Sequence, residues 1–128
     1  MGTGLRRRLV LAVAVLTASA LLGLAAPASA EAASSHCAGR KVRTLSFSTG
    51  SVQVYKRNGY VCAVTLPANP GGKKKMSVSV QARGNRPVKD EGRYSLRAGP
   101  VTVHAGHRCV WVKGAVGRGS ISSGWILC

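Results

Sequence analysis

Few side chains in this chain have the chemistry to attack, protonate or ligate. Carboxylates are scarce: Glu31, Asp90 and Glu91 are the 3 acids among 128 residues. Paired-carboxylate hydrolysis needs two acids flanking one bond, roughly 5–10 Å apart. Asp90 and Glu91 are adjacent, so a strand would point them to opposite sides and a turn would send both into solvent. A Ser-His-Asp set can be drawn formally from the serines, a histidine and Asp90. No Gly-x-Ser-x-Gly elbow accompanies it, and the chain is short for an α/β hydrolase. A non-catalytic protein without a cofactor is therefore expected.

Histidines and cysteines are the remaining ligand-forming groups. His104 and His107 would face across the mouth of a hairpin turning at Ala105-Gly106, close enough to share Zn²⁺ or Cu²⁺. A stable site needs three or four ligands, and His36 is the one other imidazole. Two exposed loop histidines are the stronger reading, and no metal is expected. Cys37, Cys62, Cys109 and Cys128 are even in number and lack Cys-x-x-Cys spacing, which favours two disulfides over a metal site. Three pairings are open. Cys37–Cys62 with Cys109–Cys128 is preferred because each joins sequence-near strands, and each bridge stabilises by about 3 kcal/mol.

Disulfides need an oxidising compartment, and the first thirty residues supply a route to one. Arg6, Arg7 and Arg8 precede an apolar run from Leu9 to Leu24, and Ala28-Ser29-Ala30 presents small residues for cleavage after Pro27. That is the pattern of a secretory signal peptide over 1–30, shorter than a membrane span and without a lipoprotein cysteine. The expected product is one basic β-domain over 31–128, secreted or associated with the cell or spore surface, with no membrane span.

Charge narrows the partners. The chain holds 19 Lys and Arg against 3 acids, a net +16; without Arg6, Arg7 and Arg8 the balance is sixteen cations against three acids, or +13. Such a field attracts polyanions. Lys56, Arg57, Lys73, Lys74 and Lys75 are the candidate contacts, with Tyr55 and Tyr60 beside the first pair. Outside the cell the expected partners are anionic cell-envelope or extracellular polymers, and nucleic acid is less favoured. The alternative is a cationic antimicrobial or toxin-like effector. A third reading, an exported protease inhibitor, would use the 93–100 segment as its exposed loop.

The elements that must hold these groups are strands. Apolar residues alternate over short β-branched runs, with Gly, Pro and Asn at the breaks. Residues 51–57 and 60–66 flank Asn58-Gly59, a pair suited to a type I′ turn. That turn sets Tyr55 opposite Cys62 and Val54 opposite Ala63. Both hairpin faces are then apolar and need a second layer or a closed barrel. Residues 75–82 alternate with Met76, Val78 and Val80 inward. A short strand is expected over 92–98, ended by Gly99-Pro100, followed by a hairpin of 101–104 with 108–112 and a last strand over 120–127. Trp111, between Val110 and Val112, is expected in the core. The sum is an all-β fold: a small antiparallel β-sandwich or barrel of about seven short strands, disulfide-stabilised.

Val54-Tyr55, Cys62-Ala63-Val64-Thr65, Tyr94, Ala98-Gly99-Pro100-Val101, Val103, Ala105-Gly106 and Cys109-Val110-Trp111 resemble the small secreted spore-associated proteins of filamentous actinobacteria. The likeness covers 51–114, and the Ala-Gly-Pro-Val to Cys-Val stretch is its most specific part. It implies secretion and residence on a spore or hyphal surface, and it brings no catalytic residues. The chain departs from the family in its stronger basicity and in the His104/His107 pair.

Overall fold

Asn58 and Gly59 take positive φ angles of 49° and 82°, the backbone a type I′ turn requires and Gly adopts without steric cost. The turn joins β2 (Gly50–Arg57) to β3 (Tyr60–Pro67), in the expected register of Tyr55 opposite Cys62 and Val54 opposite Ala63. This is a computed structural model, and it describes residues 36–128. The expected leader and its cleavage point lie outside the described residues.

Around that hairpin stand β1 (Arg40–Phe47), β4 (Lys74–Ala82), β5 (Val88–Tyr94), β6 (Ala98–His104), β7 (Val110–Val116) and β8 (Gly119–Ile126). They form two antiparallel sheets, ordered β1-β2-β3-β6 and β5-β4-β7-β8. The fold is the expected all-β sandwich, and both disulfides, Cys37–Cys62 and Cys109–Cys128, are formed.

The core follows from the two-residue period. Val52, Val54, Val61 and Ala63 face Met76, Val78, Val80, Val110 and Val112, all at most 1% exposed. Short branched side chains allow close sheet approach, and each buried valine contributes about 1.5–2 kcal/mol. Gly114 lets the sheets touch: a Cβ there would overlap Val52 Cγ2 and Thr65 Oγ1. Thr65, fully buried, donates its hydroxyl to the Ser77 carbonyl at 2.9 Å. A second apolar cluster lies on the other face of the β2–β3 hairpin. There Cys37, Cys62 and Val64 are buried, with Tyr55 and Leu66 packed against them.

Five local expectations are corrected. The described residues hold eight strands, and the unforeseen one is β1. Its apolar residues Val42, Leu45 and Phe47 miss strict alternation because a bulge lies between Lys41 and Arg43. The strand expected over 92–98 is instead β5, ending at Tyr94. Gly99-Pro100 does not end a strand but lies inside β6, at an irregularity in its pairing with β3. Pro fits there because β6 is an edge strand and needs no outward N–H.

The expected 101–112 hairpin is absent too. β6 pairs with β3, whereas β7 pairs with β4 and β8, so the link crosses between sheets. The N–H groups of Ala105 and Gly106 donate to the Gly59 carbonyl at 2.9 and 3.0 Å, which ties the link to the β2–β3 turn. Trp111 is not a core residue: Val110 and Val112 point inward, which turns Trp111 to the outer face.

Candidate functional site

Both described acids are already engaged. Asp90 points between the sheets, where Tyr94 donates its hydroxyl to Oδ1 at 2.6 Å and the Gly99 N–H donates to Oδ2 at 2.7 Å. It thereby ties β5 to β6. Glu91, its neighbour, faces outward between Lys89 (3.1 Å) and Lys75 (3.7 Å). The hydrogen bond from Lys89, and then its charge, hold the Glu91 carboxyl below the usual carboxylate range, with Lys75 adding to the effect. The bond to Asp90 raises the Tyr94 phenol above its ordinary value, and partial burial acts in the same direction.

Residues 36–128 contain sixteen Lys and Arg, because Arg6, Arg7 and Arg8 account for the rest of the 19. Lys75 and Lys89 alone have a carboxylate within ion-pair distance among the described residues. The other fourteen cations leave a strong uncompensated field.

The fold concentrates part of that field at the β2–β3 turn. Arg40 stands opposite Lys56 in the β1–β2 ladder, and Arg57 stands opposite Tyr60. A shallow depression is lined by Arg40, Lys56, Arg57 and Asn58. It adjoins a second, of about 290 Å³, lined by Arg57, Asn58, Tyr60, Cys62 and Thr102. Tyr60 is half exposed and meets the His104 ring edge-on, with centroids 4.8 Å apart. Positive charge, a phenol and an imidazole therefore converge on one surface. Arg40 was not visible as part of it from sequence, since its place depends on the bulged strand β1.

Lys73, Lys74 and Lys75 are not part of this surface. They lead into β4 at the far end of the sandwich, beside the Thr49 turn and Gly117, whose N–H donates to the Lys75 carbonyl at 2.8 Å. Lys74 donates to the Asn69 carbonyl at 3.0 Å, and the Lys73 carbonyl accepts from Arg93 at 3.4 Å. The five expected contacts thus divide between opposite ends, and much of the lysine run is held in local bonds.

The histidine pair loses its presumed hairpin. His104 ends β6 against Tyr60, and His107 is exposed in the link between sheets. No cluster of three or more His, Cys, Asp or Glu suited to a metal ion occurs among the described residues. The 93–100 segment, considered above as an inhibitory loop, runs from the end of β5 through the β5–β6 turn into β6. It is at the opposite end of the sheet from Cys109–Cys128, and Tyr94 and Gly99 within it are pinned through Asp90.

The outer face of β5-β4-β7-β8 carries the two tryptophans. Trp111 and Trp125 are cross-strand partners in edge-to-face contact, with ring centroids 5.2 Å apart. Arg83 lies 5.3 Å over the Trp125 ring, and Trp111 Nε1–H donates to Ser122 Oγ at 2.7 Å.

Fold and surface together define a cationic β-sandwich with two disulfides. No family model, curated protein or solved structure matches the chain, so none links it to the spore-associated proteins. Among the described residues, no helix is long and apolar enough to cross a membrane.

Proposed function

We propose that the protein is exported and adheres, without catalysis, to anionic polymers of the cell envelope or extracellular matrix. The observation that carries this reading is the fourteen cations with no carboxylate partner among the described residues, three of them gathered at Arg40, Lys56 and Arg57. A surface required only for solubility would intersperse both signs. The two disulfides are compatible with an oxidising destination. The likeness over 51–114 agrees with residence on a spore or hyphal surface.

The test is retention of the oxidised protein on immobilised heparin and on a teichoic-type polymer as salt is raised. Release of small ions by multivalent contact predicts a steep fall, by tenfold or more between about 50 and 200 mM salt. Replacing Arg40, Lys56 and Arg57 together by Gln should weaken retention more than the same change at Lys73, Lys74 and Lys75. Retention indifferent to salt would overturn the reading. Leakage from anionic vesicles at the concentrations that bind polymer would favour the effector alternative.

A further inference from the structure

Partners in an antiparallel ladder share one face of the sheet, so the outer face of β5-β4-β7-β8 can be read row by row. Lys89 pairs with Ser79, Ser79 with Lys113, and Lys113 with Ser122. Two residues along the strands, Glu91 pairs with Ser77, Ser77 with Ala115, and Ala115 with Ser120. Adjacent strands lie about 4.8 Å apart, so Lys89 and Lys113 rise roughly 10 Å from one another with a serine between. The small residues form the floor of a trough. Two shallow depressions run along it and share Ser77 and Lys113.

Lys89 is paired with Glu91 at 3.1 Å and Ser79 is buried in the floor, so Lys113 and Ser122 are the lining groups most open to an outside ligand. Lys113 is exposed and has no carboxylate partner among the described residues. Ser122 accepts from the Trp111 indole and keeps its own proton to donate. Each hydroxyl can donate and accept, which suits a ligand rich in hydroxyls, and the lysines suit one carrying acid groups.

We propose that an acidic polysaccharide lies in this trough, its sugar hydroxyls on Ser77, Ser120 and Ser122 and its acid groups on Lys113 and on Lys89, where the ligand would displace the Glu91 contact. This rests on the adhesive reading above and assigns it a polymer class and a second surface. A polynucleotide fits the trough less well, because single strands bind by stacking bases on free aromatic faces. Here the two indoles engage each other edge-to-face, and Arg83 covers Trp125. A bare polyphosphate would accept from the serine hydroxyls but, having no hydroxyls of its own, would leave their acceptor capacity unused.

The chain's 2 tryptophans both lie on this face, so their emission reports its occupancy. The oxidised protein would be titrated with polygalacturonate, polyphosphate and a single-stranded oligonucleotide at equal anionic charge. Polygalacturonate should shift or quench the emission at the lowest concentration. Lys113→Gln should weaken that response about tenfold, the loss of one charge-assisted bond. Ser120→Ala should weaken it less, and Arg57→Gln should leave it unchanged. An equal or stronger emission response to polyphosphate or oligonucleotide would overturn the assignment. So would salt-sensitive retention on polyanions with silent tryptophans, which would leave the adhesive reading standing. Failure to bind any polyanion would remove both.

Discussion

On the sheet β1-β2-β3-β6 the outward side chains of the central hairpin include Tyr55, Cys62, Val64 and Leu66, whereas the outward side chains of β4 are Lys75, Ser77, Ser79 and Gln81. The first set cannot be left in water without cost, and the segment carrying Cys37 covers it, fastened by the bond to Cys62. The second is polar and, apart from the buried Ser79, stays at least partly open. Alternation settles which side chains share a face, but the composition of that face decides whether it becomes a second small core or a surface for partners. The two disulfides divide along the same line. Cys37 and Cys62 are 5% and 6% exposed, while Cys109 is half-buried and Cys128 exposed.

That contrast predicts unequal losses. Replacing Cys37 and Cys62 by Ser opens a closure spanning 25 residues and loosens the cover over Val64, Tyr55 and Leu66. Loop entropy alone accounts for about 3 kcal/mol, and the exposed cluster adds to it. The expected drop in Tm exceeds about 15 °C in a domain of this size. Replacing Cys109 and Cys128 opens a shorter closure, spanning 19 residues, at sulfurs that are more exposed, so the drop should be smaller. Under mild reductant, timed alkylation should label Cys109 and Cys128 first, because a thiolate must reach the bridge to exchange. Equal losses, or Cys37 and Cys62 labelled first, would show that the covered face is not what distinguishes the two bridges.

What sequence alone could reveal follows the reach of each signal. The β2–β3 hairpin was readable because its turn chemistry and alternation lie within sixteen contiguous residues and agree with each other. β1 was hidden by its bulge, which sets Val42 and Leu45 three apart. The pairing of β6 with β3 depends on contacts forty residues distant, such as Tyr60 opposite His104, and no local pattern announces it. The bulge in β1 likewise conceals the convergence of Arg40 with Lys56 and Arg57. Trp111 is a different case: with Val110 and Val112 assigned inward, the two-residue period already places it outward. Its flanking apolar neighbours obscured a signal that was present, and with it the face where both tryptophans lie.

A second difference separates the two neighbouring acids, one inward and one outward. Asp90→Ala removes the acceptor of the Tyr94 hydroxyl and of the Gly99 N–H, untying β5 from β6. A fall in Tm of roughly 5–10 °C is expected. The Tyr94 partner gives this a pH signature. Its folded pKa is raised above the ordinary value of 10.0, so its contribution is complete below that value. The contribution is lost as pH rises from there through the folded pKa. The stability difference between the native protein and Tyr94→Phe should therefore shrink in alkali, as followed by denaturant melts at stepped pH. A difference that stays constant through that range would remove the phenol–carboxylate bond from the account of the β5–β6 junction.

Glu91 should behave oppositely and more weakly. Its folded pKa is lowered by the hydrogen bond and charge of Lys89, aided by Lys75, so its contribution is present above the ordinary carboxyl pKa of 4.5. That contribution is lost as pH falls through the folded value. The group is exposed, where solvent screens ion pairs, and Glu91→Gln should leave Tm near neutral pH almost unmoved. Its larger effect falls on the open face. Removing the one acid beside Lys75 and Lys89 frees both amines, so polyanion retention should strengthen slightly and depend more steeply on salt. Unchanged retention in Glu91→Gln, with Lys113→Gln also silent, would mean the outer face of β5-β4-β7-β8 takes no part in binding. Adhesion would then rest on the Arg40, Lys56 and Arg57 end alone.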